Sequence, residues 1–399
     1  MPELLLELGC EELPATFVAK ASTDLENAIS SRLQEVFGQK FKAKLFATPR
    51  RLIVAFFDIP LQQEDSIKEM RGPSIGASFD ANDVPQGPLI GFCKANGVAV
   101  ETVERRDGYI WMKKSVVGLA SNELLSQVLP DAIKSLTFEK SMRWGSGKLR
   151  FARPIRWILA AFNGQLINFE IEGVTAGLES RGHRFYFPKP FSARDLEELL
   201  TGLRTRKVEP DPAIRRGSIV EQSKSVAPGI PDLPADLVEE NVYLTEFPTA
   251  ISGTFGEHYL ELPSSVLVTA MAKHEKMFPV KSRSDGKLTN GFVFIRNGGE
   301  DETVRLGTEW VLNARLDDAR FFYQEDQKYS LAEFLEKCDQ IVFQANLGTI
   351  RDRAERLHDL TSFVASKTDA DEDEVDHAAR AGLYAKADLS TGLVSELAS

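Results

Sequence analysis

Cysteine is scarce: 399 residues hold only Cys10, Cys93 and Cys338. They are odd in number, far apart and never in a CxxC pair. That spacing speaks against a disulfide framework or a cysteine zinc site and fits a reduced, cytoplasmic setting. Long hydrophobic runs are also missing. No window approaches the ~18 uninterrupted apolar residues of a membrane helix, so no membrane association is expected. The N-terminus has no basic stretch followed by an apolar one, and no secretory signal is expected. No internal repeat recurs along the chain, which removes solenoids and propellers.

What is present is ordinary for a soluble globular protein: 43% hydrophobic and 27% charged residues. The length calls for two or three domains. The net charge of −11 is unevenly spread. Residues 300–399 hold 22 Asp/Glu against 11 Lys/Arg, and the rest of the chain balances. Inside the balanced part, residues 141–194 carry 9 Lys/Arg against 3 Glu. An acidic total therefore still permits a local patch facing phosphate, whose attraction acts over about 8–10 Å.

The short apolar run of Leu4, Leu5, Leu6 and Leu8 predicts a strand that begins almost at once and ends at Gly9. An acidic turn, Glu11-Glu12, leads to Pro14, which suits the first turn of a helix over 14–36 with Gly38 as its cap. Strands are predicted over 42–47 and 52–59, around the turn Thr48-Pro49-Arg50-Arg51. A short helix over 87–96 closes at Gly97, and 122–136 is helical by pattern. Asp107-Gly108 and Asn163-Gly164 mark tight hairpins, the latter between 155–162 and 165–171. A helix over 192–203 has Ser192 as its cap. Asp211-Pro212 starts another, and 227–234 is a proline-rich loop. Helices over 264–277 and 301–316 flank a strand at 292–296. Strand signals vanish after about Tyr329, leaving helices over 351–366 and 372–387. The expected fold is α+β: a mixed-sheet body with several hairpins over 1–205 and, after a Pro/Arg-rich linker, 206–325. An all-helical unit over 326–399 follows. Its last apolar residues, Leu393, Val394 and Leu397, form a stripe with nothing to pack against, so the unit reads as cut short.

Three motifs tempt a catalytic reading and fail on spacing. Trp144-Gly-Ser-Gly-Lys148 lacks the first glycine of a Walker loop, and Leu149 replaces the hydroxyl residue after the lysine. A flexible Gly-Ser turn is the plainer reading. His274-Glu275 has Phe278 where a zinc-protease helix needs its second histidine. His358-Asp359 is a literal HD pair but supplies too few metal ligands alone. No metal site and no catalytic residue is expected. Asn313 to Phe322 reads as a structural joint in which Arg315, Asp317, Asp318 and Arg320 pair locally while Leu316, Phe321 and Phe322 bury.

The arginine-aromatic sets carry more. Arg143, Arg150, Arg153 and Arg156 accompany Trp144 and Trp157, while Arg181 and Arg184 accompany His183, Phe185 and Tyr186. Guanidinium forks grip phosphate and aromatic faces stack on unpaired bases, which suits an RNA end. The same pairs also build buried stacking and ion-pair clusters or subunit interfaces. Arg153 and Trp157, near a core strand, favour the structural role. Arg50-Arg51 poses the same choice, since a turn can expose both side chains. The candidate contact residues are Arg50, Arg51, Arg143, Trp144, Arg181, His183 and Arg184.

Beyond these local readings, the opening Pro2-Glu-Leu-Leu-Leu-Glu-Leu-Gly-Cys-Glu-Glu-Leu-Pro14 resembles the start of the β subunit of bacterial two-subunit glycyl-tRNA synthetase. Matching segments continue in order: Thr48-Pro49-Arg50-Arg51-Leu52, Met142-Arg143-Trp144-Gly145, and Phe151-Ala-Arg153-Pro154-Ile155-Arg156-Trp157. Then come Arg181-Gly182-His183-Arg184-Phe185, Glu246-Phe247-Pro248, Leu262-Pro263, His274-Glu275-Lys276-Met277-Phe278, Asn313 to Phe322, and Ala385-Lys386-Ala387-Asp388-Leu389. Met277 departs from the aromatic residue common before Phe278, and the family pattern is not followed after Glu396. The resemblance implies an α2β2 ligase in which the α subunit activates glycine with ATP and magnesium. This chain would carry no cofactor and would help bind and position tRNA(Gly), beside the α subunit and a second β subunit. It also implies that the helical unit belongs to an HD-like domain followed in the family by an anticodon-binding domain. The class II synthetase motifs are not found here, in keeping with a non-activating subunit. Two other readings compete, a metal-dependent HD-type phosphohydrolase and a protein-only scaffold.

Overall fold

The computed structural model describes residues 2–396. The chain divides after Pro210 into two compact units.

The first unit is built on the predicted N-terminal strand, Glu3–Cys10. Every residue from Leu4 to Cys10 is buried, so the strand needs apolar side chains on both faces. It lies between Arg51–Phe57 and Ile155–Phe162, antiparallel to both. Ala43–Thr48 extends one side of this sheet; Val174–Gly177 joins the other, parallel to Ile155–Phe162. Leu5 faces a core with Ile53, Ala55, Leu159, Leu199 and Leu203, closed by the helix Leu196–Thr205. The helix Ala15–Phe37 packs against the sheet and against Ser121–Lys134. Each fully buried leucine contributes roughly 2 kcal/mol, which is why this strand takes the middle place.

Several boundaries differ from the sequence reading. Ala15–Phe37 ends as expected at Gly38, whose φ of 73° is left-handed. Pro14, however, is the cap rather than part of the first turn; Glu11 and Glu12 lie in the preceding turn, as expected. The helix expected from Ser192 starts at Leu196, with the Asp195 side chain accepting the Glu198 amide at 2.8 Å; Ser192 ends a short strand instead. Ser66–Ser74 is a strand the sequence concealed. It pairs with Tyr109–Val116 beside Glu104–Arg106, in a small sheet with its own core of Leu89, Cys93 and Ile110.

The second unit has an antiparallel sheet in the order Ile230–Pro231, Phe278–Lys281, Leu288–Arg296, Thr249–Thr254. The helix Asp301–Asp326 lays Leu312, Leu316 and Ala319 against Phe292, Phe294 and Met271. It runs ten residues past the predicted end, so Asn313 to Phe322 lies within a helix. In that segment the charges reach across rather than pairing locally: Arg315 meets Glu275 at 2.7 Å, and Tyr259 donates to Asp317 at 2.6 Å. Burial, then Asp317, push the Tyr259 phenol up to about 12. Phe321 is exposed, against expectation. The predicted helix 264–277 is a short α-helix, Ser264–Val268, followed by a π turn, Thr269–His274.

After Tyr329 the chain is mostly but not wholly helical. Leu331–Lys337 leads through a small hairpin of Val342–Gln344 and Gly348–Thr349 into Ile350–Ala365, and Glu372–Tyr384 follows. Leu393 does have a place to pack, against the core of this unit, and the Gly392 and Leu393 amides donate to Asp326 at 2.9 and 2.8 Å. Leu397 lies outside the described residues. The architecture is α+β, as the sequence implied.

Candidate nucleic-acid interface

The central strand places alternate residues on one face, and register fixes their neighbours. Glu7 stands opposite Ile53 and Leu159; Gly9 stands opposite Arg51 and Trp157. Arg51 therefore lies over the sheet and is fully buried. Its Nη1 donates to Glu7 at 2.9 Å and to the Arg181 carbonyl at 2.7 Å. Burial pushes the Glu7 carboxyl above the usual range, and the Arg51 charge offsets only part of this. The guanidiniums of Arg50, Arg51 and Arg181 stand 5.6, 5.4 and 5.6 Å from the Trp157 ring centroid.

The acidic turn after the strand holds the next arginines. Glu11 meets Arg156 at 3.3 Å, Arg184 at 3.4 Å and Arg50 at 4.0 Å. Glu12 meets Arg50 at 3.5 Å and also pairs with Arg184, and its carbonyl accepts from Arg153 at 3.0 Å. Glu11 and Glu12 are thus the anchor that sequence reasoning missed. The adjacent carboxylates are visible in the chain, but only the fold brings them to Arg50, Arg153, Arg156 and Arg184.

The seven candidates sort by exposure. The Thr48–Arg51 turn does not expose its arginines: Arg51 is 0% and Arg50 7% accessible. Strand register draws Arg51 onto the sheet face, and Arg50, in the turn beside it, is enclosed against Trp157 and the acidic turn. His183 is also buried; its Nδ1 accepts the Phe185 amide at 3.3 Å and its ring lies 4.9 Å from Tyr186. Arg143, Arg181 and Arg184 are exposed, and Trp144 is half-buried with its Nε1 donating to the Phe151 carbonyl at 2.9 Å. Arg143 and Trp144 belong to a separate hairpin, Met142–Arg143 paired with Arg150–Phe151. A groove of about 710 Å³ runs between that hairpin's base and the start of the helix Ala15–Phe37, lined by Phe17, Glu139, Lys140, Met142, Arg150 and Arg153 among others. Phe185 (65%) and Phe187 (41%) add exposed aromatic surface. The exposed remainder thus combines cations with open ring faces, the chemistry that grips a phosphate backbone and stacks on bases.

The three motifs set aside on sequence grounds have partners within this chain or lie at its surface. Gly145 takes a left-handed φ of 60°, and the loop after Trp144 closes on a side chain of this chain, Glu172. Glu275 is engaged by Arg315. His358 and Asp359 face each other at 3.0 Å on the surface, and no group of three potential metal ligands occurs among the described residues.

One end of the sheet thus carries an arginine cluster centred on Trp157 and the Glu11-Glu12 turn. Comparison with known proteins gives the family. Residues 4–399 match the family described as glycyl-tRNA synthetase beta subunit, and the chain belongs to that family. A protein of Syntrophus aciditrophicus named glycine–tRNA ligase beta subunit is 40% identical over 407 aligned positions, covering 99% of this chain and 58% of that protein. Proteins of the same name from Desulforamulus reducens and Halothermothrix orenii are 38% and 36% identical, again over 99% of this chain and 58% of theirs. The chain thus spans somewhat more than half the length of these relatives and corresponds to their N-terminal portion.

Proposed function

We propose that this chain acts as the N-terminal portion of a non-activating β subunit of glycine–tRNA ligase, binding and positioning tRNA(Gly) while the α subunit joins glycine to its terminal adenosine. The match over residues 4–399 carries this reading. ATP and magnesium serve as substrate and ion on the α subunit, and this chain supplies shape and grip. Its partners are the α subunit, tRNA(Gly) and, within an α2β2 assembly, a second β subunit. The setting is cytoplasmic, in keeping with only three cysteines, all buried; among the described residues no helix is long and apolar enough to cross a membrane. Residues 326–399 are read as the opening of an HD-like helical unit, after body segments 1–205 and 206–325. Exposed Leu360, Phe363 and Val364 on Ile350–Ala365 support a further layer over that unit.

The tRNA-facing residues are proposed to be Arg143, Trp144, Arg181 and Arg184, because exposure leaves their outer faces available whereas Arg50, Arg51 and His183 are enclosed. The test pairs co-purification with an α subunit and glycylation assays with and without this chain. Arg143→Glu with Arg181→Glu should weaken tRNA(Gly) binding at least about tenfold and flatten its salt dependence by roughly one unit of slope per lost contact. If tRNA affinity and α-subunit assembly both stay unchanged, the patch has neither role.

A further inference from the structure

Three tight turns of the first unit place positive φ at two successive residues. Asp107-Gly108 and Asn163-Gly164 use pairs that suit this geometry; Glu172-Gly173, at 49° and 81°, does not. Asparagine and aspartate tolerate the left-handed region through local hydrogen bonding, a help that the longer glutamate side chain lacks. The Glu172 side chain is instead committed elsewhere. Its Oε2 accepts the Lys148 amide at 2.8 Å and its Oε1 accepts the Leu149 amide at 3.0 Å. Both amides belong to the loop of the hairpin that carries Arg143, Lys148 and Arg150. A Cβ at Gly147 would stand 2.0 Å from that carboxylate, so glycine is what lets the loop close over it. On the other side the Trp144 indole is tied to the Phe151 carbonyl. A loop with exposed cationic side chains is thus clamped at its backbone by a charge from a different turn.

We propose that Glu172 is a positioning residue for RNA contact: it fixes the 144–149 loop so that Arg143, Lys148 and Arg150 meet the phosphate backbone already ordered. This rests on the reading above, in which Arg143 faces tRNA. A lone carboxylate beside a cationic loop would repel phosphate. Here its charge is directed at two amides, and the loop has less freedom to lose on binding.

The test uses the complex of this chain with an α subunit and a tRNA(Gly) transcript. Affinity is measured across a salt series for the parent, Glu172→Asn, Glu172→Gln and Arg143→Glu, with amide exchange followed at Lys148 and Leu149. Asparagine suits the turn but is too short to span both amides. Glu172→Asn should keep the parent melting temperature, speed exchange at both amides and weaken tRNA binding about tenfold at an unchanged salt slope. Glu172→Gln keeps one acceptor and should lose less; it serves if the asparagine variant folds poorly. Faster exchange with parent-like tRNA affinity, while Arg143→Glu binds weakly, overturns the positioning role and leaves the RNA-facing reading intact. Parent-like affinity in Arg143→Glu as well means the hairpin does not face tRNA, and both fall together.

Discussion

Arg51→Met should destabilise the first unit by about 3–5 kcal/mol at pH 7, the usual consequence of leaving one partner of a buried ion pair alone. Arg51 and Glu7 are each fully enclosed, 2.9 Å apart, between the sheet and the Ser180–Arg181 segment. With the guanidinium gone, Glu7 either stays ionised in an apolar site or takes up a proton; each has a cost at neutral pH. The pH dependence gives the cause away. Burial holds the Glu7 pKa above its reference of 4.5 in the folded chain, and removing Arg51 takes away the main opposing charge. The folded state then holds a proton that the unfolded state has released, so stability falls as pH rises above about 4.5, until the raised folded value is passed. Below about 4.5 both states are protonated and this part of the loss disappears. Urea titrations from pH 4 to 8 should show the deficit of Arg51→Met shrinking toward acid. Glu7→Leu combined with Arg51→Met should recover most of it, since an apolar pair of similar volume has no charge to desolvate. A deficit that is constant with pH and unmoved by the second substitution would mean that Arg51 stabilises by packing on Trp157 alone.

That pair also marks the limit of what the sequence discloses. A strand beginning at Glu3 is legible from its leucines, although Glu7 interrupts them, because a continuous apolar run signals burial on both faces. Asn163-Gly164, Gly38 and Gly97 announce their turn and caps by residue type alone. Ser66–Ser74 does not, because Gly72-Pro73 breaks its alternation and the register shifts before Ser74. The hairpin at 342–349 has strands too short to show a period. Asp195 rather than Ser192 caps its helix because Ser192 is taken by pairing with Glu179, a choice made by tertiary structure. The arginines follow the same division. Their number and their aromatic neighbours are written in the chain. Which of them are enclosed depends on strand register, and Arg51 and Arg181 meet one indole across 130 positions only once the sheet has formed.

Gly9→Ala tests that register directly. A Cβ at Gly9 would sit 1.9 Å from Cε2 and 2.0 Å from Cδ2 of Trp157, inside the ring system of the residue it opposes. A flexible side chain could swing aside, but this indole has little room. It is 6% accessible and ringed by the guanidiniums of Arg50, Arg51 and Arg181. Relief requires moving the indole out of that ring or bending the central strand between its two partners. Either change costs about 3 kcal/mol, the upper part of the range for overpacking a core. The urea midpoint should drop accordingly with little change in slope, since the surface exposed on unfolding is unaltered. Replacing Trp157 by Leu in the same chain should recover part of the loss by making the space a methyl needs. Trp157→Leu alone should be destabilising, so the two changes should be less than additive. Fully additive losses, or a Gly9→Ala chain as stable as the parent, would mean that the indole does not lie on Gly9, and the arginine cluster arranged around it would have to be redrawn.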